Sequence, residues 1–448
     1  MAWGTGQEPP ATRPRPLFAV LFSVLPDGVT ILTFYLLLLY LIPSNRSIGA
    51  LGSAGAVPIV WGCAAALWWA WSQLQRSRAE AHWGVRPVRL VAFLLVGAFL
   101  LSYVAAMIRP LPAEEASPAD AGLIRLAGLV GILLVASDGP PGVDRFMTFL
   151  RRLSFAGGMY AGFGLFQFLT GRAWIDLINI PGLITNSGYD GVVARGGFAR
   201  PVSTATHPLE YALVLSMLLP IALSIAFYDK KAPFLWRWAP PALIALALML
   251  SSSRSAYVGL IAGLIVLFPL LTPPAKWGLA AGAVGMLGAG YLLAPRVLSN
   301  LRYLFLSIGS DDSAESRTGS YELVADLVSR SPIVGRGFGT FLPQYRILDN
   351  QVLQLLLEVG ILGLSVFILL LATAAVCAIV GRHRSRDPLM RGVGAGLAAS
   401  VVAGTSLLWL FDAFSFAQAV GTLFLVVGLC SAYLPLCPPP RQHNESIT

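Results

Sequence analysis

Three stretches of the 448-residue chain concentrate the side chains able to do chemistry. RGGFARPVSTATHPLEY gathers Arg195, Arg200, His207 and Glu210, cations that hold anions beside an imidazole and a carboxylate that can move a proton. LSSSRSAYVGL sets Arg254 behind three serines at the edge of an apolar run. A guanidinium there faces an anion, a carboxylate or a polar cavity, unless it snorkels to the headgroups. The third stretch, ESRTGSYELVADLVSRSPIVGRGFGTFLPQYRILDNQVLQLLLEVGILGL, carries Arg317, Tyr321, Arg336 and the polar triplet Asp349, Asn350, Gln351. Its GRGFGT loosely matches a phosphate-cradling loop, without the Lys or the strand context. Asn350, Gln354 and Glu358, at steps of four, share one helical stripe that could form a polar wall facing the arginines, and Gly360 and Gly363 permit close packing beside it. Plainer readings stay open: His207-Pro208 as a helix start, and Asp349 as a helix cap or an arginine's partner.

These residues must be positioned by membrane helices. The chain is 56% hydrophobic and 12% charged with a mean hydropathy of +0.72, well above soluble domains. Cys63, Cys377, Cys430 and Cys437 are scattered in or beside apolar runs and indicate neither metal site nor disulfide framework. The net charge of +9 comes from Lys and Arg in short segments between apolar runs, which argues orientation signals rather than nucleic acid. The tail MAWGTGQEPPATRPRP has no apolar core typical of a cleavable signal peptide.

Twelve segments are expected to span: 17–42, 51–73, 88–108, 121–137, 153–170, 208–228, 236–252, 255–272, 276–293, 352–380, 390–411 and 414–434. The expected organisation is a cytoplasmic tail over 1–16, a polytopic domain over 17–434 and a cytoplasmic tail over 435–448. Most cations fall inside on this plan, and the short outer connections hold only Arg46, Arg109, Arg125 and Arg254. His207 is then the one outer histidine, with His82, His383 and His443 inside. VDRFMTFLRRL reads as a basic amphipathic helix at the inner interface, and the pattern from Tyr321 to Ser329 as another lying on the outer surface. Two long outer loops, 171–207 and 294–351, are expected to be ordered and to form the active face.

SSSRSAYVGL, SPIVGRGFGTF and LDNQVLQLLLEVGILGL, in this order, resemble the O-antigen ligase and polysaccharide polymerase superfamily of bacterial membrane glycosyltransferases; RPVSTATHPLEYA is similar to its Arg and His-Pro stretch. The likeness extends from about residue 120 to 430. It implies an all-α, GT-C-like fold of about twelve transmembrane helices in the bacterial cytoplasmic membrane, with the active face outward. It also implies transfer of a glycan from a polyprenyl-diphosphate-linked donor to a glycan or lipid acceptor, with membrane lipids and other polysaccharide assembly proteins as partners. On that likeness Arg254, Arg200, Arg195 and Arg317 are the diphosphate ligands and replace a metal ion; no DxD is present, since Asp311 and Asp312 are adjacent. Asp349, His207 and Glu210 are the rival bases, and Asn350, Gln351, Tyr321 and Arg336 position the acceptor. No cofactor is implied. The ligase branch carries histidine before the Asn, so Asp349 favours the polymerase branch. Ligase-type transfer to a lipid or wall acceptor is the alternative. A transporter would carry midplane charges and broken helices in repeated halves, and a scaffold would make the arginines structural.

Overall fold

The computed structural model describes residues 27–75, 86–172, 174–185, 194–195, 198–251, 253–293, 321 and 323–438. Asp311, Asp312, Arg317, His82, His443 and both expected tails lie outside these residues, apart from the first few of the C-terminal one. Among the described residues a helix stands in each segment expected to span. They are α1 (Gly28–Leu41), α2 (Val57–Gln75), α3 (Pro87–Ile108), α4 (Ala113–Asp138), α5 (Val143–Thr170), α6 (Pro208–Tyr228), α7 (Phe234–Leu250), α8 (Arg254–Leu270), α9 (Pro273–Leu293), α11 (Gln351–Arg384), α12 (Pro388–Leu407) and α13 (Ala417–Tyr433). A short helix, α10 (323–329), precedes α11. Two small antiparallel ladders, β1 (Arg46–Ile48) with β2 (Leu183–Thr185) and β3 (Ala194–Arg195) with β4 (Phe198–Ala199), tie the loops.

Length and composition alone make α3, α4, α6 and α11 able to cross a membrane. Their surroundings differ. The apolar window of α6 is 89% buried and that of α3 and α11 39%, so α6 is a core helix while the other two keep an open side. On that side Leu94, Leu101, Val104, Ile361, Ile368 and Val376 stand exposed, a belt of large apolar groups that water would not tolerate and lipid would. Inside, small residues let backbones touch: a Cβ at Gly62 would collide with the Gly128 main chain where α2 crosses α4.

The two ends of the bundle are chemically distinct. At one end arginines meet buried or half-buried aspartates: Arg145 with Asp27, Arg86 and Arg89 with Asp138, and Arg151 with Asp229 at 2.6 Å. At the other lie the described parts of the loops after α1, α3, α5, α7 and α12, joined by contacts such as Ser44 to Thr206 and Gln351 to the 408–411 carbonyls.

Three expectations about individual segments are corrected. VDRFMTFLRRL is no separate interfacial helix but the first turns of α5; its Phe146, Phe149 and Leu150 are buried and its arginines pair within the bundle. Arg125 is not in a loop: α4 extends to Ala113, and Arg125 donates from within it to the Phe414 carbonyl at 2.9 Å. The apolar stripe of α10 does not face outward to a surface, because Val324, Leu327 and Val328 pack on Phe341, Leu348 and Leu357.

GRGFGT and EVGILG form one structure. Helix α11 breaks at Gly360, whose φ of 66° and ψ of −172° no side-chain-bearing residue adopts readily. The break frees backbone groups deep in the bundle, where each unmet group is costly. The segment 331–341 meets them: Arg336 N–H donates to the Leu357 carbonyl at 3.0 Å and Gly337 N–H to the Glu358 carbonyl at 2.8 Å. In return the Ile361 and Leu362 N–H groups donate to Pro332 and Ile333 carbonyls at 2.9 and 3.1 Å. Gly335 sits where a Cβ would collide with the Glu358 carbonyl. The Glu358 side chain, 2% exposed, accepts from the Gly339 and Phe341 N–H groups and from Gln354 at 3.5 Å, so it anchors the glycine loop and stays joined to the expected stripe.

Candidate functional site

The segment 200–207 owes its shape to three buried amide and carboxylate side chains. Gln167 of α5 accepts from Ser203 N–H at 2.7 Å and donates to the Ser203 carbonyl at 2.9 Å, holding that residue at a φ of 58°. Glu210, fully buried, accepts from Ser44 at 2.7 Å, from Thr206 N–H at 3.0 Å and from Gln418 N–H at 2.9 Å. Gln418 itself donates to Thr204 at 3.0 Å and accepts from Tyr160 at 2.6 Å. Removing any member strands buried donors at about 1–3 kcal/mol each. Glu210 thus ties the starts of α6 and α13 together, and its complete burial keeps it from reaching a substrate as a base.

On this platform stand Arg200 and His207. The Arg200 Nε donates to the Ser251 carbonyl at 3.3 Å, at the turn between α7 and α8 that Arg254 follows. The LSSSRS stretch does divide two helices there. Arg200 also acts electrostatically on His207 and on Tyr257, one turn along α8 from Arg254. Burial, with the Arg200 charge, pushes the His207 pKa down to about 4, so the ring is neutral at neutral pH. His207 Nδ1 caps α6 by accepting from Leu209 N–H at 3.1 Å. The proton of the neutral ring then sits on Nε2, which makes His207 a hydrogen-bond donor to a ligand rather than a base.

The polar triplet divides its tasks. Asn350, 2% exposed, is the N-cap of α11, accepting from Val352 and Leu353 N–H at 3.0 and 3.2 Å, which contributes about 1 kcal/mol. Gln351 clamps the α12–α13 loop: its N–H donates to the Leu408 carbonyl and its Oε1 accepts from Phe414 N–H at 2.7 Å. Asp349 therefore is not the cap; it is half-buried with a left-handed φ of 47°, a strained conformation for a non-glycine residue. The same loop bears Asp412, whose pKa burial pushes up with the Asp349 charge adding to it. Phe416 closes the circuit, its ring 5.8 Å from His207 and 5.7 Å from Phe411. Asp349 and Asp412 thus join the His207 side through one short loop. The sequence reading passed over Asp412, although an aspartate between two apolar runs in FDAF was a visible signal.

Other expected residues fall elsewhere. Arg195 contributes its main chain to β3. Tyr321 is half-exposed beside α10. Arg336 is bound to Glu115 at 2.6 Å and lies over the Phe341 and Tyr345 rings, which commits it to the junction of α3 and α4. Among the described residues no group of three or more His, Cys, Asp and Glu is placed to hold a metal ion.

Beneath Tyr257 an apolar groove of about 510 Å³ runs between α6, α7, α8 and α9, lined by residues such as Met249, Leu260, Trp238 and Phe227. Residues 241–368, which include Arg254, the glycine loop and the start of α11, match the family model described as O-antigen ligase. This stretch of the chain is similar to the O-antigen ligase family. The matched stretch contains both partners of the Gly335–Gly360 interlock, whereas Arg200 and His207 precede it. No curated protein matches the chain. The match supports a place in the O-antigen ligase and polymerase superfamily, and the helices long and apolar enough to cross a membrane agree with it.

Proposed function

We propose that the chain is a polysaccharide polymerase joining polyprenyl-diphosphate-linked oligosaccharide units at the outer face of the cytoplasmic membrane. The observation that carries this reading is the meeting of Arg200, His207 and the Arg254 helix start at one end of an apolar groove. A donor of this class has a long apolar chain and a diphosphate head, and the groove and the cations match those two parts in one place. In the reaction the acceptor hydroxyl attacks the anomeric carbon while the bond from that carbon to the diphosphate oxygen breaks. The leaving diphosphate takes the electron pair; Arg254 and Arg200 stabilise its charge, and His207 Nε2 donates to a phosphate oxygen. Asp349 takes the acceptor's proton, and the Asn350 cap and the Gln351 clamp hold Asp349 itself in place.

The break in α11 is a feature that a transporter would share. Here the 331–341 segment fills it, and no other long helix among the described residues is interrupted by a left-handed residue. Ligase-type transfer differs only in acceptor. In a strain lacking the chain, single lipid-linked units are expected to accumulate; accumulation of finished, unattached polymer would overturn the polymerase reading in favour of the ligase.

A further inference from the structure

At the same end of the bundle as Arg200 and His207, a polar cavity of about 290 Å³ opens between the loop after α1, α4 and the loop joining α12 to α13. Its wall includes Ser44, Asn45, Arg125, Thr206, Ser415 and Phe416. Thr206 precedes His207, and the Phe416 ring lies 5.8 Å from the imidazole, so this wall is shared with the His207 site. Arg125 enters the cavity from α4. Its guanidinium gives one hydrogen bond, to the Phe414 carbonyl at 2.9 Å, and among the described residues no carboxylate lies within ion-pair distance of it. Its Nε and Nη2 have no partner among the described residues and, unlike the neighbouring Arg46 Nε, are not closed off, so they face the cavity. Asn45, 8% exposed, makes no side-chain hydrogen bond among the described residues: its Oδ1 is closed in the wall, and its Nδ2 is left to the cavity. An amide so buried and unanswered is costly unless a ligand reaches it.

Donors and acceptors are both present. Arg125 and Asn45 supply the donors, whereas Thr206 gives its hydroxyl proton to Glu210 at 3.2 Å and so offers only an acceptor. With the phenyl ring of Phe416 beside them, these groups complement a sugar ring, whose hydroxyls both give and take hydrogen bonds and whose C–H face packs on an aromatic. The volume lies at the lower end of small-molecule pockets and the wall is polar, which suits one sugar ring and not a lipid chain. The cavity also adjoins the side from which the proton is taken: Ser415 N–H donates to the Asp412 carbonyl at 3.0 Å, and the Asp349 charge acts on Asp412. We propose that this cavity binds the terminal sugar of the acceptor glycan, with Arg125 and Asn45 donating to its hydroxyls and its ring against Phe416. The inference rests on the proposed glycan transfer and adds where the acceptor is held.

The test uses the full chain in neutral detergent and, as probe, the repeat-unit oligosaccharide freed from its lipid diphosphate, with binding read by isothermal titration in the absence of turnover. Asn45→Leu exchanges the unmet amide for an apolar group of similar size, so it is expected to melt no lower than wild type and to bind the probe about fivefold more weakly. Arg125→Gln is expected to weaken binding about tenfold, the larger effect of a charged donor. Arg254→Ala, which removes a diphosphate ligand, is expected to bind the probe as wild type does. A wild-type protein that does not bind the probe, or a folded Asn45→Leu protein that binds it in full, would overturn the subsite. The polymerase reading fails separately: no polymer forms from the intact lipid-linked unit, while binding of the probe and its loss in Asn45→Leu persist and support the glycan site.

Discussion

Replacing Arg254 by alanine is expected to lower glycan transfer by about 10²–10³-fold, the usual effect of removing one charge-stabilising donor from a transition state. Arg254 opens α8, so the guanidinium and the helix N-terminus offer positive charge from the same place. Arg200 is held at the preceding turn by the Ser251 carbonyl, and His207 is fixed by its own helix cap. Neither can move over to replace a lost cation. Arg254→Lys keeps the charge but not the bidentate fork and is expected to recover only part of the rate. Turnover of lipid-linked oligosaccharide by purified variants measures this, with thermal melting as the check on folding. Transfer at the wild-type rate in a folded Arg254→Ala protein would remove the diphosphate clamp from the account.

Gly360→Ala is expected to destabilise the protein by about 3 kcal/mol or more, the scale of a side chain forced into a glycine-only conformation together with a steric clash. At φ 66° and ψ −172° the new methyl would meet the Ile333 carbonyl, which accepts from Leu362 N–H. Relief would require opening the hydrogen bonds that join the glycine loop to α11, and with them the anchoring of Glu358. Gly285→Ala in α9, where a methyl meets nothing within 4 Å, is the control and is expected to leave the melting temperature unchanged. Equal melting of the two variants would contradict the interlock.

The helices were legible from apolar run lengths because membrane burial imposes a length on each of them. SSSRS divides α7 from α8 as its arginine suggests, since the chain there turns over only a few residues. Arg125 misled for a physical reason: a cation in an apolar stretch resembles a boundary, whereas here the Phe414 carbonyl accepts its hydrogen bond and Glu358 interacts with its charge. The break at Gly360 was invisible because EVGILGL is apolar throughout, and only the distant segment 331–341 makes a left-handed residue affordable there. Capping chemistry was legible at DNQ as a type, but not which residue caps; backbone angle gives the cap to Asn350 and frees Asp349. His207 and Arg200 were found together by proximity in sequence. Their link to Asp349 through Asp412 and Phe416 depends on how α12 and α13 pack, which no local pattern records.

Reconstituting the purified chain in lipid vesicles with a polyprenyl-diphosphate-linked repeat unit as sole substrate, in the presence of EDTA, tests the central claim most directly. The account predicts polymer of increasing length together with released polyprenyl diphosphate, because arginines rather than a metal ion stabilise the leaving group. Substrate left unchanged by folded protein with or without EDTA would contradict the polymerase reading, and transfer lost only on adding EDTA would contradict catalysis by arginines alone.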